Sequence, residues 1–435
     1  MRTIIKSLLL PLLVLVSSAL QAAPKIQNWE TSNGARVLFV EAHDLPMIDI
    51  RVVFDAGAAR DGKTAGLAKM TSALLDQGAG GLNADEIAIG MESLGASLGG
   101  GSERDMGWLT FRSLSDRKLL NPALALFKKV LNQPDFPEED FKREQKRMLI
   151  SARYRGQKPG SIAGEKYYQL LYGDHPYASI PGGDEKSLSS LTREQLQTFY
   201  KQYYVAKNAV IAVVGDLTTK QAKKVVNDLV GKLPAGEQAP GLPEVSPLKK
   251  ADKKIITHPS TQSHVLIGAP GVYRGDPDYF PLYMGNFILG GSGLVSRISD
   301  EVREKRGLSY SAYSYFSPMA KPGPFTLGLQ TKNDKREEAI KVLRKTLQDF
   351  LDKGPTDKEI TAARKNITGG FPMRVSSNSK IVEYLAMIGF YKLPLDYLDK
   401  FNPTIEAVTK EQIIDAFKRR VDPDKMVTVI VGGDT

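Results

Sequence analysis

The chain carries one strand pattern twice, once in each half. Residues 209–216 (AVIAVVGD) return near the end as residues 426–434 (MVTVIVGGD). Each copy follows a helix-like segment that begins at a threonine, Thr192 in the first case and Thr409 in the second, with a glutamine three residues later. That spacing is typical of a capping box at a helix N-terminus. Two such matches in the same order predict two homologous halves.

The pattern within each half is strands first, then long helices, then a closing strand. Alternating or continuous apolar runs predict strands, and a period near 3.6 predicts helices. We therefore expect an α+β fold of two homologous halves, each a mainly antiparallel sheet with helices packed on one face. The predicted strands include residues 36–40, 49–54 and 264–269, and the predicted helices residues 121–131, 137–154, 334–351 and 356–367. Pro122 and Pro137 are interpreted as residues at helix starts, where proline is tolerated.

The halves are separated by a segment rich in proline and glycine. Residues 233–249 have almost no apolar periodicity and are predicted to be a linker. The expected organisation is a signal peptide over residues 1–23, an N-terminal domain over 24–232, the linker, and a C-terminal domain over 250–435.

The first 23 residues resemble a secretory signal. Arg2 and Lys6 precede an apolar run over residues 8–16, and Ala22 and Ala23 follow. A membrane anchor is the alternative, but the run is too short to span a bilayer and Pro11 interrupts it. We expect an exported soluble protein, most simply periplasmic, with no stable membrane span once the signal is removed.

Composition excludes several classes of protein. Hydrophobic residues at 42% and charged residues at 25% are typical of a globular chain, not of a disordered or fibrous one. The absence of cysteine excludes disulfides, lipid-modified cysteine and a thiol nucleophile. The net charge of +10 would become +8 without the signal. No compact basic cluster is interleaved with aromatic residues, so we expect no nucleic-acid partner.

Residues 64–76 form the most informative motif. Gly66, Leu67 and Ala68 are followed by Lys69, and then by Ser72 and Ala73. This context is similar to G-L-A-H-F-L-E-H-M in the pitrilysin and insulysin family of zinc metallopeptidases, whose inverted motif is H-x-x-E-H. Lys69 and Ala73 stand at the two histidines, and Ser72 at the glutamate. Catalytic zinc needs three protein ligands and that glutamate as general base, and an ammonium and a methyl group supply neither.

The third, acidic ligand of the family also has no counterpart. By its flanking pattern that position falls near Ile150 or Ser151, and Glu144 lies about one helical face away. The resemblance, which covers roughly residues 26–435, thus implies a member that binds no zinc of its own. A different metal site could be assembled only from the four histidines, for which we favour structural roles: His43, His175, His258 and His264.

A second match to the family lies at residues 296–316. Active members have an arginine on a helix and a tyrosine seven residues later, both facing zinc, and Arg303 and Tyr310 have that spacing. The resemblance implies that these two are the catalytic contribution of this chain, because a guanidinium and a phenol can stabilise the oxyanion formed in peptide hydrolysis. The structural alternative is that Arg303 is an exposed helix charge and Tyr310 a sheet aromatic.

Two glycine-rich segments bear on substrate contact. Gly290, Gly291 and Gly293 precede the arginine-bearing helix and resemble a family turn associated with substrate handling, although a simple turn explains them equally well. Residues 99–101 are three glycines beside the segment that in active relatives forms part of the edge strand to which substrate adds. Three glycines are expected to make this edge flexible and a poor template for an added strand.

These observations favour a catalytically incomplete subunit of a heteromeric zinc metallopeptidase. The resemblance implies a heterodimer with a homologous zinc-binding partner, zinc in that partner chain, and a peptide or unfolded polypeptide as substrate. Two alternatives remain: a stand-alone peptide-binding or scaffold protein with no peptidase role, and an independent hydrolase with another metal arrangement.

Overall fold

The computed structural model describes residues 25–433, and the predicted signal peptide lies outside them. None of the helices within this range combines the length and the apolar character needed to cross a membrane.

Within residues 25–433 the chain forms thirteen strands: β1 (Gln27–Glu30), β2 (Arg36–Glu41), β3 (Met47–Phe54), β4 (Gly78–Ala79), β5 (Leu82–Asn83), β6 (Ser97–Ser102), β7 (Gly107–Leu114), β8 (Ala209–Gly215), β9 (Asp252–Ile256), β10 (Gln262–Pro270), β11 (Ser309–Phe316), β12 (Pro324–Lys332) and β13 (Val427–Val431).

The same range forms fifteen α-helices: α1 (Leu67–Ala73), α2 (Ala84–Ser93), α3 (Arg117–Asn132), α4 (Glu138–Arg155), α5 (Pro159–Tyr172), α6 (Glu185–Ser190), α7 (Arg193–Tyr203), α8 (Thr219–Val230), α9 (Tyr279–Asn286), α10 (Arg297–Ser299), α11 (Arg336–Lys353), α12 (Asp357–Arg374), α13 (Asn378–Phe390), α14 (Tyr397–Ala407) and α15 (Lys410–Arg420). Two π-helical turns, Phe287–Gly291 and Asp300–Glu304, continue α9 and α10.

The two large sheets have the same topology. The first has the strand order β1-β2-β8-β3-β7-β6, and the second, taken from its β9 edge, has the order β9-β13-β10-β12-β11. The repeated strands β8 and β13 hold equivalent positions, each pairing parallel with one neighbour and antiparallel with the other. All other pairs in the two sheets are antiparallel. The predicted α+β fold of two homologous halves is confirmed, and β1 is an addition at one edge.

The helices that precede β8 and β13 begin as the sequence predicts. Thr192 caps α7 and Thr409 caps α15, and each forms a full capping box with the glutamine three residues on. The interpretation of Pro122 was wrong. Helix α3 begins at Arg117, capped by the Asp116 carboxylate on the backbone N–H of Lys118, so Pro122 lies inside the helix. Pro137 directly precedes α4, as predicted.

Each sheet is covered on its second face by a helix of the other half. Alternate residues of the first sheet divide between two cores: Phe39 and Val213 face the helices of their own half, whereas Leu38 and Val214 face α13. In the second sheet, α5 packs against β10 and β13 in the same way. The sequence predicted helices on one face only, and this reciprocal exchange was missed.

Glycines allow both of these helices to approach closely. Gly389 of α13 lies against β2 and β8, where a Cβ would overlap Val210 and come within 2.9 Å of Leu38 Cδ1. At the other contact Gly268 of β10 leaves room for Tyr167 of α5, whose hydroxyl donates to the backbone oxygen of Phe325 at 2.9 Å. At the first site side chains of the sheet therefore reach the helix backbone, and at the second a side chain of the helix reaches the sheet backbone.

We predict that Gly389→Ala destabilises the protein by roughly 1–3 kcal/mol, because the added methyl group overpacks a contact with a stiff valine. Gly369→Ala is the matched control, since that helical glycine has open space around it. The control should be neutral or more stable by up to about 1 kcal/mol. Urea unfolding of both variants measures this, and equal effects would contradict the close approach.

Candidate functional site

Helix α1 is held firmly, although other residues stand at the positions of the zinc ligands in the motif that it resembles. The buried Asp61 carboxylate accepts hydrogen bonds from the backbone N–H groups of Gly66 and Ala68, each at 2.8 Å. Gly66 has φ +92°, and a Cβ here would lie 3.1 Å from the backbone of Gly183, so a side chain would be strained and crowded. These contacts fix the N-terminus of α1 beneath β6.

The residues at the expected zinc position do not fit a zinc ion. Lys69 is exposed, and Ala73 has no donor atom. Ser72 is only 5% exposed, and its Oγ has no hydrogen-bond partner among the described residues. Nowhere in residues 25–433 do three or more His, Cys, Asp or Glu residues cluster so that they could hold a metal ion. No hydrolytic step can therefore be assigned to a metal at α1.

Among the described residues, the region expected to carry the third zinc ligand of the family also offers no free carboxylate. Ile150 and Ser151 are exposed on α4. Glu144 binds Arg147 of the same helix through both carboxylate oxygens, each at 2.6 Å. The four histidines bond to protein groups or pack against them. His43 lies between Asp216 and Glu41, for example, and His175 bonds the backbone of Tyr177.

Strand β6 forms an open edge beside α1. All six of its residues pair with β7, and within the described chain no strand pairs with its outer side. Its glycines leave room for Trp108 of β7, whose ring lies where a Cβ of Gly101 would be. The Arg51 guanidinium lies 4.5 Å from that ring. The edge is thus rich in glycine, and the backbone groups on its outer side could pair with an extended peptide.

Arg303 lies in the π-helical turn Asp300–Glu304. The backbone N–H of Lys305 donates to the oxygen of Asp300 at 2.9 Å, which is the i to i−5 bond of a π turn. Gly307, with φ +60°, ends the helix and donates to the oxygen of Arg303. The Arg303 side chain is 36% exposed and makes one weak ion pair, at 3.3 Å, with Glu304. π turns occur frequently at functional sites.

Tyr310 is the extra residue of a β-bulge. Ser309 and Ser311 pair with consecutive residues of β12, so Tyr310 has no cross-strand partner and its side chain is 88% exposed. The hydroxyl of Ser309 holds the bulge by donating to the backbone oxygen of Gln330 and accepting from the N–H of Ser311. Bulges commonly re-aim a side chain next to an active site. Ser309 is a supporting residue that the sequence did not single out.

The turn that bears Arg303 packs against β11, the strand that bears Tyr310. Both residues therefore belong to one local unit of the second half, which we call the Arg303/Tyr310 turn (residues 300–311).

The three candidate glycines are in different environments. Gly290 is buried against β11, where a Cβ would overlap Ser314, so its role is to allow close packing. Gly291 and Gly293 are exposed, and Leu294 and Val295 directly after them present apolar side chains to solvent.

Comparison with known proteins matches both halves to one family. Residues 36–177 match the family described as insulinase (peptidase family M16), and residues 190–367 match the peptidase M16 inactive domain. A crystal structure described as a peptidase M16 inactive domain from Pseudomonas fluorescens is 40% identical, covers 94% of this chain and 98% of its own, and superposes with a TM-score of 0.91.

More distant relatives agree. A protein of Helicobacter pylori described as non-peptidase homolog YmxG is 26% identical over 98% of both chains. The uncharacterized zinc protease YmxG of Bacillus subtilis is 24% identical and covers 82% of this chain and 86% of its own.

We predict that metal removal leaves the isolated chain unaffected. EDTA or a tenfold excess of zinc should shift its melting temperature by less than about 1 °C, because a ligand that does not bind the folded state adds no stability. One zinc ion per chain, released by the chelator with loss of stability, would contradict the description of α1.

Because the Asp61 carboxyl is buried, we predict that the stability of the protein depends on pH. Burial raises the pKa of this carboxyl to about 7, although its two backbone hydrogen bonds lower it. Since the pKa of the folded state lies above the unfolded value, the stabilisation is complete below about pH 4 and is lost as the pH rises toward 7. Between pH 5 and 8 the free energy of unfolding should fall more in the wild type than in Asp61→Asn, by on the order of 2 kcal/mol. Equal pH slopes in urea titrations would refute the assignment.

Proposed function

Because the chain belongs to the insulinase-type M16 peptidase family and is a catalytically incomplete member of it, we propose that it is the non-catalytic subunit of a heteromeric periplasmic zinc peptidase. Its homologous partner would carry the zinc-binding H-x-x-E-H helix. This chain would contribute Arg303 and Tyr310 to the partner's active site and help to enclose a peptide substrate.

The observation that carries the proposal is the contrast between the two halves. Helix α1 retains its fold but has Lys69, Ser72 and Ala73 where the family has zinc chemistry. The Arg303/Tyr310 turn is built by a π turn and a bulge, two local distortions that packing alone does not require. An arginine with one weak partner and a tyrosine that is almost fully exposed are suited to bind a group outside this chain.

The chemistry of the pair is oxyanion stabilisation. Attack of water on a peptide carbonyl places negative charge on its oxygen. A guanidinium and a phenol hydroxyl held at that position stabilise the charge, more strongly in the transition state than in the substrate. The partner's zinc would activate the water, and this chain would supply only donors and backbone positioning. The open edge of β6 would add affinity for an extended substrate.

The periplasmic location rests on the signal-like first 23 residues. The native mass of the complex that co-purifies with this chain from the periplasm tests both location and partnership. We expect a one-to-one assembly with a chain that carries an intact H-x-x-E-H motif. A monomer or homodimer would refute the heteromer and favour stand-alone peptide binding, which the open β6 edge would also serve.

Arg303→Ala or Tyr310→Phe should lower the turnover of the assembled complex on the order of a hundredfold, because each removes one donor to the oxyanion. Zinc content and native mass should not change. Peptide hydrolysis by the purified complex provides the measurement.

Two variants are matched controls in the same region. Arg306→Ala removes an exposed arginine that pairs with Glu301, and Tyr315→Phe removes a hydroxyl further along β11. Both should keep turnover within about twofold, since loss of an ordinary surface contact changes little. If all four variants behave alike, Arg303 and Tyr310 have no special role.

A further inference from the structure

A small pocket in the second half combines apolar walls with four charged residues. It has a volume of about 250 Å³ and lies between the loop after β10, the start of α9 and the loop that joins α13 to α14. Its walls include Tyr279, Phe280, Leu393 and Tyr397. Four charged residues also line it: Arg274, Asp276, and the pair Asp396 and Lys400, which bind each other at 2.6 Å. We call it the Arg274 pocket.

Arg274 and Asp276 each have one buried polar atom without a hydrogen-bond partner in the part of the chain that the structure describes. The Arg274 Nε is buried and has no hydrogen-bond partner among the described residues. Asp276 is only 3% exposed; its Oδ1 accepts from Arg420 at 3.0 Å and from the backbone N–H of Asp278 at 2.9 Å. Its Oδ2 is buried and finds no partner within residues 25–433.

Such buried polar atoms destabilise the folded state unless something binds them. A buried donor or acceptor without a partner costs about 1–3 kcal/mol, and more when it is charged. Arg274 and Asp276 could offset this cost by pairing with each other, but Asp276 is instead held by Arg420. Each of the two residues therefore has one buried, unsatisfied polar atom, and both residues line the same small pocket.

The residues that line the pocket determine the size and apolar character of a ligand that fits it. Aromatic rings surround the arginine: its guanidinium carbon lies 6.0 Å from the ring centroid of Tyr279 and 5.8 Å from that of Tyr391. Burial raises the pKa of Tyr279 and of Tyr397, so both hydroxyls stay protonated and can donate. The volume is below the range of about 300–1,000 Å³ that is usual for drug-sized ligands, so it suits a single amino-acid-sized group.

We propose that the Arg274 pocket binds a carboxylate that carries an apolar side chain, of the class of a hydrophobic α-amino acid or the C-terminal residue of a peptide. The ligand carboxylate pairs with Arg274, since guanidinium and carboxylate match in charge and geometry. The ligand nitrogen, as ammonium or amide N–H, donates to Asp276, and the side chain packs against Phe280 and Leu393. This site is separate from the Arg303/Tyr310 turn in sequence and needs no partner chain.

The test is titration calorimetry of the purified full chain with L-phenylalanine as the probe. Saturable one-to-one binding is expected. Arg274→Gln should weaken it about tenfold or more, because a charge-assisted hydrogen bond is lost. Arg306→Gln, at an exposed arginine already paired with Glu301, is the control and should bind like the wild type.

A comparison of ligands on the wild-type chain keeps the test independent of how the variants fold. Phenylalaninamide, which lacks the carboxylate, should also bind about tenfold or more weakly. N-acetylphenylalanine distinguishes the two sources: affinity equal to that of phenylalanine indicates a peptide C-terminus, and a loss indicates a free amino acid whose ammonium binds Asp276. No saturable binding of phenylalanine, or equal binding of the amide or by Arg274→Gln, would overturn the proposal.

Discussion

The reciprocal exchange of α5 and α13 is the contact on which the rest of the structure depends. A twisted sheet with apolar residues on both faces needs two layers of cover, and the helices of each half supply only one. The second layer comes from the other half in both cases. Neither half could bury its own sheet alone, so the segment between α8 and β9 does not join two independent bodies. The relative placement of α1, β6 and the Arg303/Tyr310 turn is fixed by the same contact.

Asp105 secures this arrangement at the end of the open edge strand. It is 4% exposed and accepts hydrogen bonds from the hydroxyls of Tyr177 and Tyr391 and from the backbone N–H of Ala320. Burial raises the pKa of Asp105, while these three donors favour its charged form. The loop after β6 is thereby tied to the second half, both next to β12 and at the end of α13. Tyr391 in turn lies near Arg274, which places the Arg274 pocket close to the junction of the halves.

The sequence predicted what depends on local pattern. The repeat of β8 and β13, the two capping boxes and the α+β class follow from periodicity and from residue types at fixed spacing. The exchange of α5 and α13 could not be predicted, because an amphipathic helix shows that it has an apolar face and not which sheet covers that face. The bulge at Tyr310 depends on the hydroxyl of Ser309 reaching Gln330 on the neighbouring strand, a contact that no local spacing in the sequence indicates. The Arg274 pocket needs residues more than a hundred positions apart, such as Asp276 and Tyr397, and no short motif marks it.

The structure also explains how α1 can lose its zinc residues and keep its place. The buried residues of this helix are Ala68, Met70, Thr71 and Ser72, and Leu74 and Leu75 are buried just beyond it. Its N-terminus is fixed by Asp61. Lys69 and Ala73 do not belong to that buried set, so substitution there changes the chemistry without opening the core. The Arg303/Tyr310 turn differs from α1, because its distinctive residues are exposed. Val302 anchors its π turn in the core, but the bulge and a tyrosine left in solvent add little to packing, and this is the observation behind the binding role that we propose for them.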